Sequence, residues 1–258
     1  WTREISKITI SNNKLEASVL DFRVYNRNKG NFYYSIQSAV DAASSTNTIE
    51  VWPGKYKENV AFNTRLSIIG SGRSRTVIDA RYQGSGFALN SNADYSTIKN
   101  LRISHTENSS SCCSFSSMRA GIVIGSATDI TIDNVHFYET YNGLSAYFPH
   151  RLKVTNSDFD RGTLSNFYAG IRLNYGDDIQ IKDNTIQKYS YGLYLDYIQG
   201  GLKVSGNHIH NSTNYGIYTY RLQYGSVSEY YEFKSNILAD NNYGIYGSGC
   251  CSTSYNRY

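Results

Sequence analysis

From residue 121 onward, apolar and polar positions alternate in short runs, and each run opens on a glycine followed by an aliphatic residue. The pairs are Gly121-Ile122, Gly143-Leu144, Gly170-Ile171, Gly192-Leu193, Gly216-Ile217 and Gly244-Ile245, spaced by 22, 27, 22, 24 and 28 residues. A second alternating run lies between successive glycines and ends near an asparagine: Ile130/Ile132 to Asn134, Leu152/Val154 to Asn156, Ile179/Ile181 to Asn184, Leu202/Val204 to Asn207 and Tyr231/Phe233 to Asn236. Strands repeating at this period, with glycine and asparagine between them, predict an all-β solenoid. Asparagine is expected to take the left-handed backbone that a sharp corner needs.

The alternation fixes the faces. With positions one and three after each glycine turned inward, Ile122/Ile124, Leu144/Ala146, Ile171/Leu173, Leu193/Leu195, Ile217/Thr219 and Ile245/Gly247 form an apolar stack. Two outward columns follow: Val123, Ser145, Arg172, Tyr194, Tyr218, Tyr246 and, beside it, Ala120, Asn142, Ala169, Tyr191, Tyr215, Tyr243. The last three coils are thus expected to expose a double row of six tyrosines, with Tyr220 and Tyr147 beside it. Such a row serves sugar stacking, contact with another protein, or cross-strand stiffening of a sheet.

Before the repeats, residues 1–27 alternate around Ser11-Asn12-Asn13-Lys14, which predicts a β-hairpin or extended arm. In residues 28–48, Ile36, Ala39, Val40 and Ala43 share a helical face and Ser35 stands ready as an N-cap. A short helix there would plug the open end of a solenoid running over residues 49–258.

The run Ile49-Glu50-Val51-Trp52-Pro53-Gly54-Lys55-Tyr56-Lys57-Glu58-Asn59-Val60, followed by Leu66-Ser67-Ile68-Ile69-Gly70 and Thr76-Val77-Ile78-Asp79, resembles the opening coils of the pectin-lyase-like superfamily. With the later repeats, the resemblance covers about residues 35–250 and implies a single right-handed parallel β-helix. It implies little about activity, because this scaffold carries lyases, hydrolases, esterases, epimerases, adhesins and structural proteins. The specific enzyme signatures are missing. Gly176-Asp177-Asp178 resembles a polygalacturonase triplet without its partner motifs, and Phe148-Pro149-His150 is a faint echo of an alginate-epimerase motif. The pectinesterase segments are absent.

Catalytic candidates are few. Hydrolases on this fold need converging carboxylates, and lyases need a basic residue with acidic calcium ligands. Asp158, Asp160, Asp177, Asp178, Asp183 and Asp196 are available, with Arg161 and Arg172 as basic partners. Arg172 and Asp196 fall at outward positions one coil apart, where they can meet. Corners also recruit Asp for backbone hydrogen bonding, an ordinary structural explanation for Asp177 and Asp178. His208 and His210 share a strand face, but no further ligands accompany them, so neither a metal nor any other cofactor is expected.

Composition adds a setting. The 258 residues are 40% hydrophobic and only 18% charged, with 25 Tyr and a formal net charge of +4. The basic residues are scattered, which argues against nucleic acid as a partner. No apolar run long enough to span a membrane occurs. The chain reads as an extracellular or surface protein whose export signal is gone, with Asn108 and Asn211 in glycosylation triplets. Its cysteines form two vicinal pairs, Cys112-Cys113 and Cys250-Cys251, better suited to disulfides than to zinc. The pairs lie five coils, about 24 Å, apart at the usual strand spacing. Bonds between the pairs through a long loop, vicinal bonds and intermolecular bonds all remain open. The leading expectation is a non-catalytic, extracellular subunit that self-associates head to tail into a filament or surface layer. In it, the N-terminal arm engages the last coil of a neighbour and the tyrosines supply contacts. The alternative is a polysaccharide-binding or lyase- or hydrolase-like β-helix, with its groove along Arg172, Asp196, Tyr194 and Tyr218.

Overall fold

The computed structural model describes residues 23–106, 119–163, 167–222 and 231–248. Within them the chain coils as a parallel β-helix with two hydrogen-bonded sheets. The first contains the strands that open on the repeated glycines; running outward from the N-terminal end, it joins Val60–Phe62, Phe87–Leu89, Ile122–Ile124, Leu144–Tyr147, Ala169–Asn174, Tyr191–Asp196, Tyr215–Tyr220 and Tyr243–Ser248. Its register is that of the glycine alignment, with Leu144 opposite Ile171, Leu193 opposite Ile217 and Ile217 opposite Ile245.

The second sheet has sixteen strands and bends within each coil. In Thr97–Ser104 and Thr131–Tyr138 one strand runs through the bend; in later coils it divides, as Lys153–Thr155 and Asp158–Asp160. The burial pattern of Thr131–Tyr138 shows why: inward Ile132 and Val135 are three apart, and Asp133-Asn134 between them are both half-exposed. The alternation resets there because Asn134 has a φ of 54°. Asn156 does likewise, as expected from sequence. Asn184, Asn207 and Asn236 do not. The left-handed residue in those coils is the one before, Asp183, Gly206 or Ser235, with φ of 56°, 67° and 55°.

The later asparagines instead turn inward and form a ladder. Asn207 Oδ1 accepts from the backbone N and from Nδ2 of Asn184, each at 3.0 Å, and Asn207 Nδ2 donates to Asn236 Oδ1 at 2.9 Å and to Ile181 O at 3.0 Å. Each side chain thereby satisfies backbone groups of its neighbours inside the solenoid.

The core is the predicted stack. Ile122, Ile124, Leu144, Ala146, Ile171, Leu173, Leu193, Leu195 and Ile217 are fully buried, and Phe137 stacks on Phe159 at 4.4 Å. The repeated glycines are explained by close approach. A Cβ at Gly143 would run into the Phe159 ring and sit 2.6 Å from Gly170 O; one at Gly192 would sit 2.5 Å from Gly216 O.

The N-terminal end is closed as expected, by a helix α1 (Ile36–Asp41) that buries Ile36, Ala39 and Val40. Ser35 Oγ caps it by accepting from Ser38 N at 3.0 Å, and Glu58 accepts from the backbone of Ile36 and Gln37. Gln37 also exchanges two side-chain hydrogen bonds with the backbone of Ala61, at 3.0 and 2.8 Å, standing in for a strand beside Val60–Phe62. An unpaired edge is thereby covered. The strand Val24–Asn26 is not a free arm: it pairs antiparallel with Asn31–Tyr33 on one side and Asn47–Val51 on the other. The rest of the expected arm, residues 1–22, lies outside the described residues, as do all four cysteines and Asn108.

Candidate functional site

The outward face of the glycine sheet carries the tyrosines in two columns, in the register the repeat dictates. Tyr191, Tyr215 and Tyr243 stack at 5.9 and 5.0 Å, and Tyr194, Tyr218 and Tyr246 at 5.1 and 5.4 Å. The columns also touch each other, Tyr191 meeting Tyr194 edge-on at 5.3 Å. The expectation of six exposed rings is corrected here. Only Tyr243 and Tyr246 are exposed, at 57% and 42%; the other four are half-buried because each ring lies against the next. Stacked rings cover one another's faces and leave edges and hydroxyls toward solvent. At the N-terminal end of the columns, Val123 and Ser145, and beside them Ala120, Asn142 and Ala169, are buried, though sequence placed them toward water. Val123 and Ala120 pack with Tyr147 into a small apolar cluster of their own.

Arg172 and Asp196 lie near the head of the columns, close enough for the arginine's charge to act on the carboxyl. Arg172 lies opposite Tyr194, and Asn174 opposite Asp196. The Arg172 guanidinium sits over the rings of Tyr168, at 5.2 Å, and Tyr194, at 5.8 Å. Asn174 Nδ2 donates to Asp196 Oδ2 at 3.3 Å, whereas Asp196 Oδ1 is buried and has no hydrogen-bond partner among the described residues. Burial pushes the Asp196 carboxyl above the usual carboxylate range, and Asn174, Arg221 and Arg172 only partly oppose this. Burial likewise pushes up the phenols of Tyr168, Tyr194 and Tyr218, so they stay protonated and offer both a donor and an acceptor.

The other sequence candidates do not join this group. Asp177 bonds His150 at a corner, in a ladder that also aligns Thr128 with His150. Asp178 is itself a corner residue with φ of 47°, the structural role open to it from sequence. Asp158 pairs with Arg73 and Asp160 with Lys188, both on the bent sheet. The rings of His208 and His210 stack at 4.5 Å, and among the described residues no three His, Cys, Asp or Glu side chains are grouped to hold a metal. Asn211 is exposed at a left-handed corner, its Nδ2 on His210 Nδ1 at 2.8 Å. No helix among the described residues is long and apolar enough to cross a membrane.

A further aromatic tier was missed from sequence. Five positions after the repeated glycines come Ser126, Phe148, Tyr175, Tyr197 and Arg221. Phe148, Tyr175 and Tyr197 all adopt φ of 57° and stack along the corner, Phe148 to Tyr175 at 5.1 Å and Tyr175 to Tyr197 at 5.0 Å. Arg221 closes the tier, 5.1 Å over the Tyr197 ring. Extending the glycine columns by two positions would have found it.

The chain matches no curated protein sequence. Among solved structures it is similar to the catalytic domain of a GH87 α-1,3-glucanase in complex with nigerose, at 15% identity and TM-score 0.47, over 81% of this chain and 43% of that one. It is also similar to an alginate lyase from Paenibacillus sp. str. FPU-7 (13% identity, TM-score 0.47, covering 83% and 95%). A third is the receptor-binding protein of bacteriophage Det7, a tailspike (13%, TM-score 0.46, 83% and 48%). The chain spans less than half the length of the glucanase catalytic domains. Residues 120–258, more than half of the chain, match the model of the right-handed β-helix region. The coils described above and that match agree: the chain belongs to the right-handed β-helix family.

Proposed function

We propose that this protein binds polysaccharide along the outer face of its glycine sheet, with Arg172 and Asp196 at the centre of the site and the tyrosine columns extending it. The observation that carries this reading is Asp196 Oδ1, a buried carboxyl oxygen without a partner among the described residues, near an arginine laid over two tyrosine rings. An unmade buried hydrogen bond costs about 1–3 kcal/mol; Oδ1 is closed to solvent, so in this reading Asp196 turns outward on binding and a sugar hydroxyl then satisfies it. The protonated phenols repeat along the solenoid at strand spacing, a match for a hydroxylated polymer running parallel to the axis. Binding is favoured over hydrolysis. Two flanking carboxyls about 5–10 Å apart are the usual requirement for glycoside cleavage, and among the described residues the groups that act on Asp196 are Asn174, Arg221 and Arg172, none of them a carboxylate. Titration calorimetry against neutral and uronic-acid oligosaccharides tests the reading. The double variant Arg172→Ala/Asp196→Ala should bind at least tenfold more weakly, and full retention of binding overturns the site.

A second reading, head-to-tail assembly at a cell surface or in a secreted layer, is favoured by the last described coil. Ile245 is 40% exposed where its equivalent Ile217 is fully buried, and Ile237 is 61% exposed. Among the described residues Tyr243–Ser248 pairs on one side only, with Tyr215–Tyr220, and an apolar coil of that kind is suited to accept another chain. Negative-stain electron microscopy of unreduced and reduced protein checks it. Filaments or sheets support assembly, their loss on reduction places cysteines between subunits, and dispersed particles at high concentration count against it.

A further inference from the structure

The aromatic tier at the corner stops abruptly. In the coil before Phe148 the equivalent residue is Ser126, and in the coil before that Ser91; in the adjoining row Tyr147 is preceded by Gly125, Asn90 and Asn63. The backbone bonds Asn90 N to Phe62 O and Gly125 N to Leu89 O, at 3.0 and 2.9 Å, keep these residues in the same ladder. Where the rings end, the small residues leave an open cleft of about 450 Å³, lined by Asn63, Asn90, Ser91, Gly125, Ser126, Tyr147 and Phe148. That volume is in the ordinary range for small-ligand sites, about 300–1,000 Å³.

We infer that this cleft is a subsite for one neutral hexopyranose unit, seated against Phe148 in the position a further ring of the tier would take. The inference rests on the polysaccharide reading above and specifies which sugar the chain meets at that end. Three observations carry it. First, Phe148 is 50% exposed: one side is covered by Tyr175, Tyr147 stands edge-on to it at 4.6 Å, and it borders the cleft. The electron-rich face of such a ring attracts the positively polarised C–H groups on the flat side of a pyranose.

Second, the polar lining faces solvent and is not tied up within the protein. The Asn63 carbonyl accepts from Asn92 N at 2.9 Å, leaving its amide donors without a partner among the described residues, and the side chains of Asn90, Ser91 and Ser126 have none either. Amide and hydroxyl groups of this kind suit the rim of hydroxyls around a sugar ring. Third, no lining residue is charged. A uronate placed here would give up hydration without a counter-charge, so the cleft discriminates against it. The same row of residues leads on through Tyr147 and Asn174 to Asp196, so one chain can occupy both places.

The test uses the full chain, titrated with α-1,3-, β-1,3- and β-1,4-linked gluco-hexaoses and with an oligogalacturonate of the same length. Ser126→Tyr places a bulky ring at the cleft wall and fills it; Phe148→Ala removes the platform. Thermal unfolding checks that each exposed-site variant remains folded. The expected result is that wild type binds at least one neutral hexaose and that both variants weaken this at least tenfold, with any galacturonate binding unchanged. If neutral binding survives both variants but falls in Arg172→Ala/Asp196→Ala, the cleft assignment is wrong while the polysaccharide reading stands. Binding of galacturonate alone also overturns the cleft, and binding of no oligosaccharide overturns both.

Discussion

Asp79 and Asp196 are the same side chain in two opposite electrostatic settings. Burial alone would raise the Asp79 carboxyl, but Lys55 Nζ at 2.7 Å and His105 Nδ1 at 2.9 Å outweigh it and bring the pKa down to about 2 from 3.8. A depressed carboxyl stabilises the fold above its unfolded pKa, and that stability is lost as pH falls through about 4 to 2. At about 1.4 kcal/mol per pKa unit, Asp79→Asn should cost about 2 kcal/mol at pH 7 and almost nothing at pH 2, by chemical denaturation at each pH. Asp196 reverses the sign. Its raised carboxyl is a charged group held at a loss near neutrality, so Asp196→Asn should leave stability at pH 7 equal or higher, with any gain vanishing in acid. A stabilising change that weakens glycan binding is the behaviour of a residue kept for its ligand. A destabilising Asp196→Asn would make Asp196 an ordinary structural carboxylate.

The strand elements were legible in the sequence where packing dictates residue type, and less so where hydrogen bonding does. The glycine column and the stack from Ile122 to Ile217 follow from alternation and from the absence of room for a Cβ, both of which leave a periodic trace. Asparagine leaves an ambiguous one, because it serves a left-handed corner and a buried amide ladder equally well; Asn156 does the first and Asn207 the second. The corner tier of Phe148, Tyr175 and Tyr197 was passed over by a reading that expects asparagine or glycine at positive φ, although it shows as a column five positions after the repeated glycines. Mutual stacking is the compensation that holds three aromatic residues there. The asparagine ladder gives the sharper test. Asn207→Ala strands Asn184 N and Ile181 O inside the solenoid, so it should cost about 3 kcal/mol in equilibrium unfolding. Asn207→Asp at pH 7 should be no better, since a carboxylate cannot donate to Ile181 O and Asn236 Oδ1.

Across the whole molecule the coils differ less in sequence than in what covers them. Each coil contacts its two neighbours, so stability is transmitted coil by coil. At the first coil, α1, the Gln37–Ala61 bonds and the antiparallel strands Val24–Asn26 and Asn31–Tyr33 cover the edge. At the last described coil Ile237, Tyr243, Ile245 and Tyr246 are exposed. Local opening should therefore begin at that end and lose little buried apolar area in doing so. Hydrogen exchange measures this directly: amides of Tyr243–Ser248 should exchange orders of magnitude faster than those of Tyr191–Asp196, with Tyr215–Tyr220 between. The gradient also separates the two functional readings, since a ligand and a neighbouring subunit protect different places. A polysaccharide on Arg172 and Asp196 should slow exchange in Ala169–Asn174 and Tyr191–Asp196 and leave the last coil fast. Head-to-tail assembly should instead slow Tyr243–Ser248 in a concentration-dependent way without any glycan, because a partner strand on that edge would pair its amides. Protection that is uniform through Ser248 at the lowest usable concentration would mean that the last coil is already covered within the chain, which removes the structural basis for assembly there.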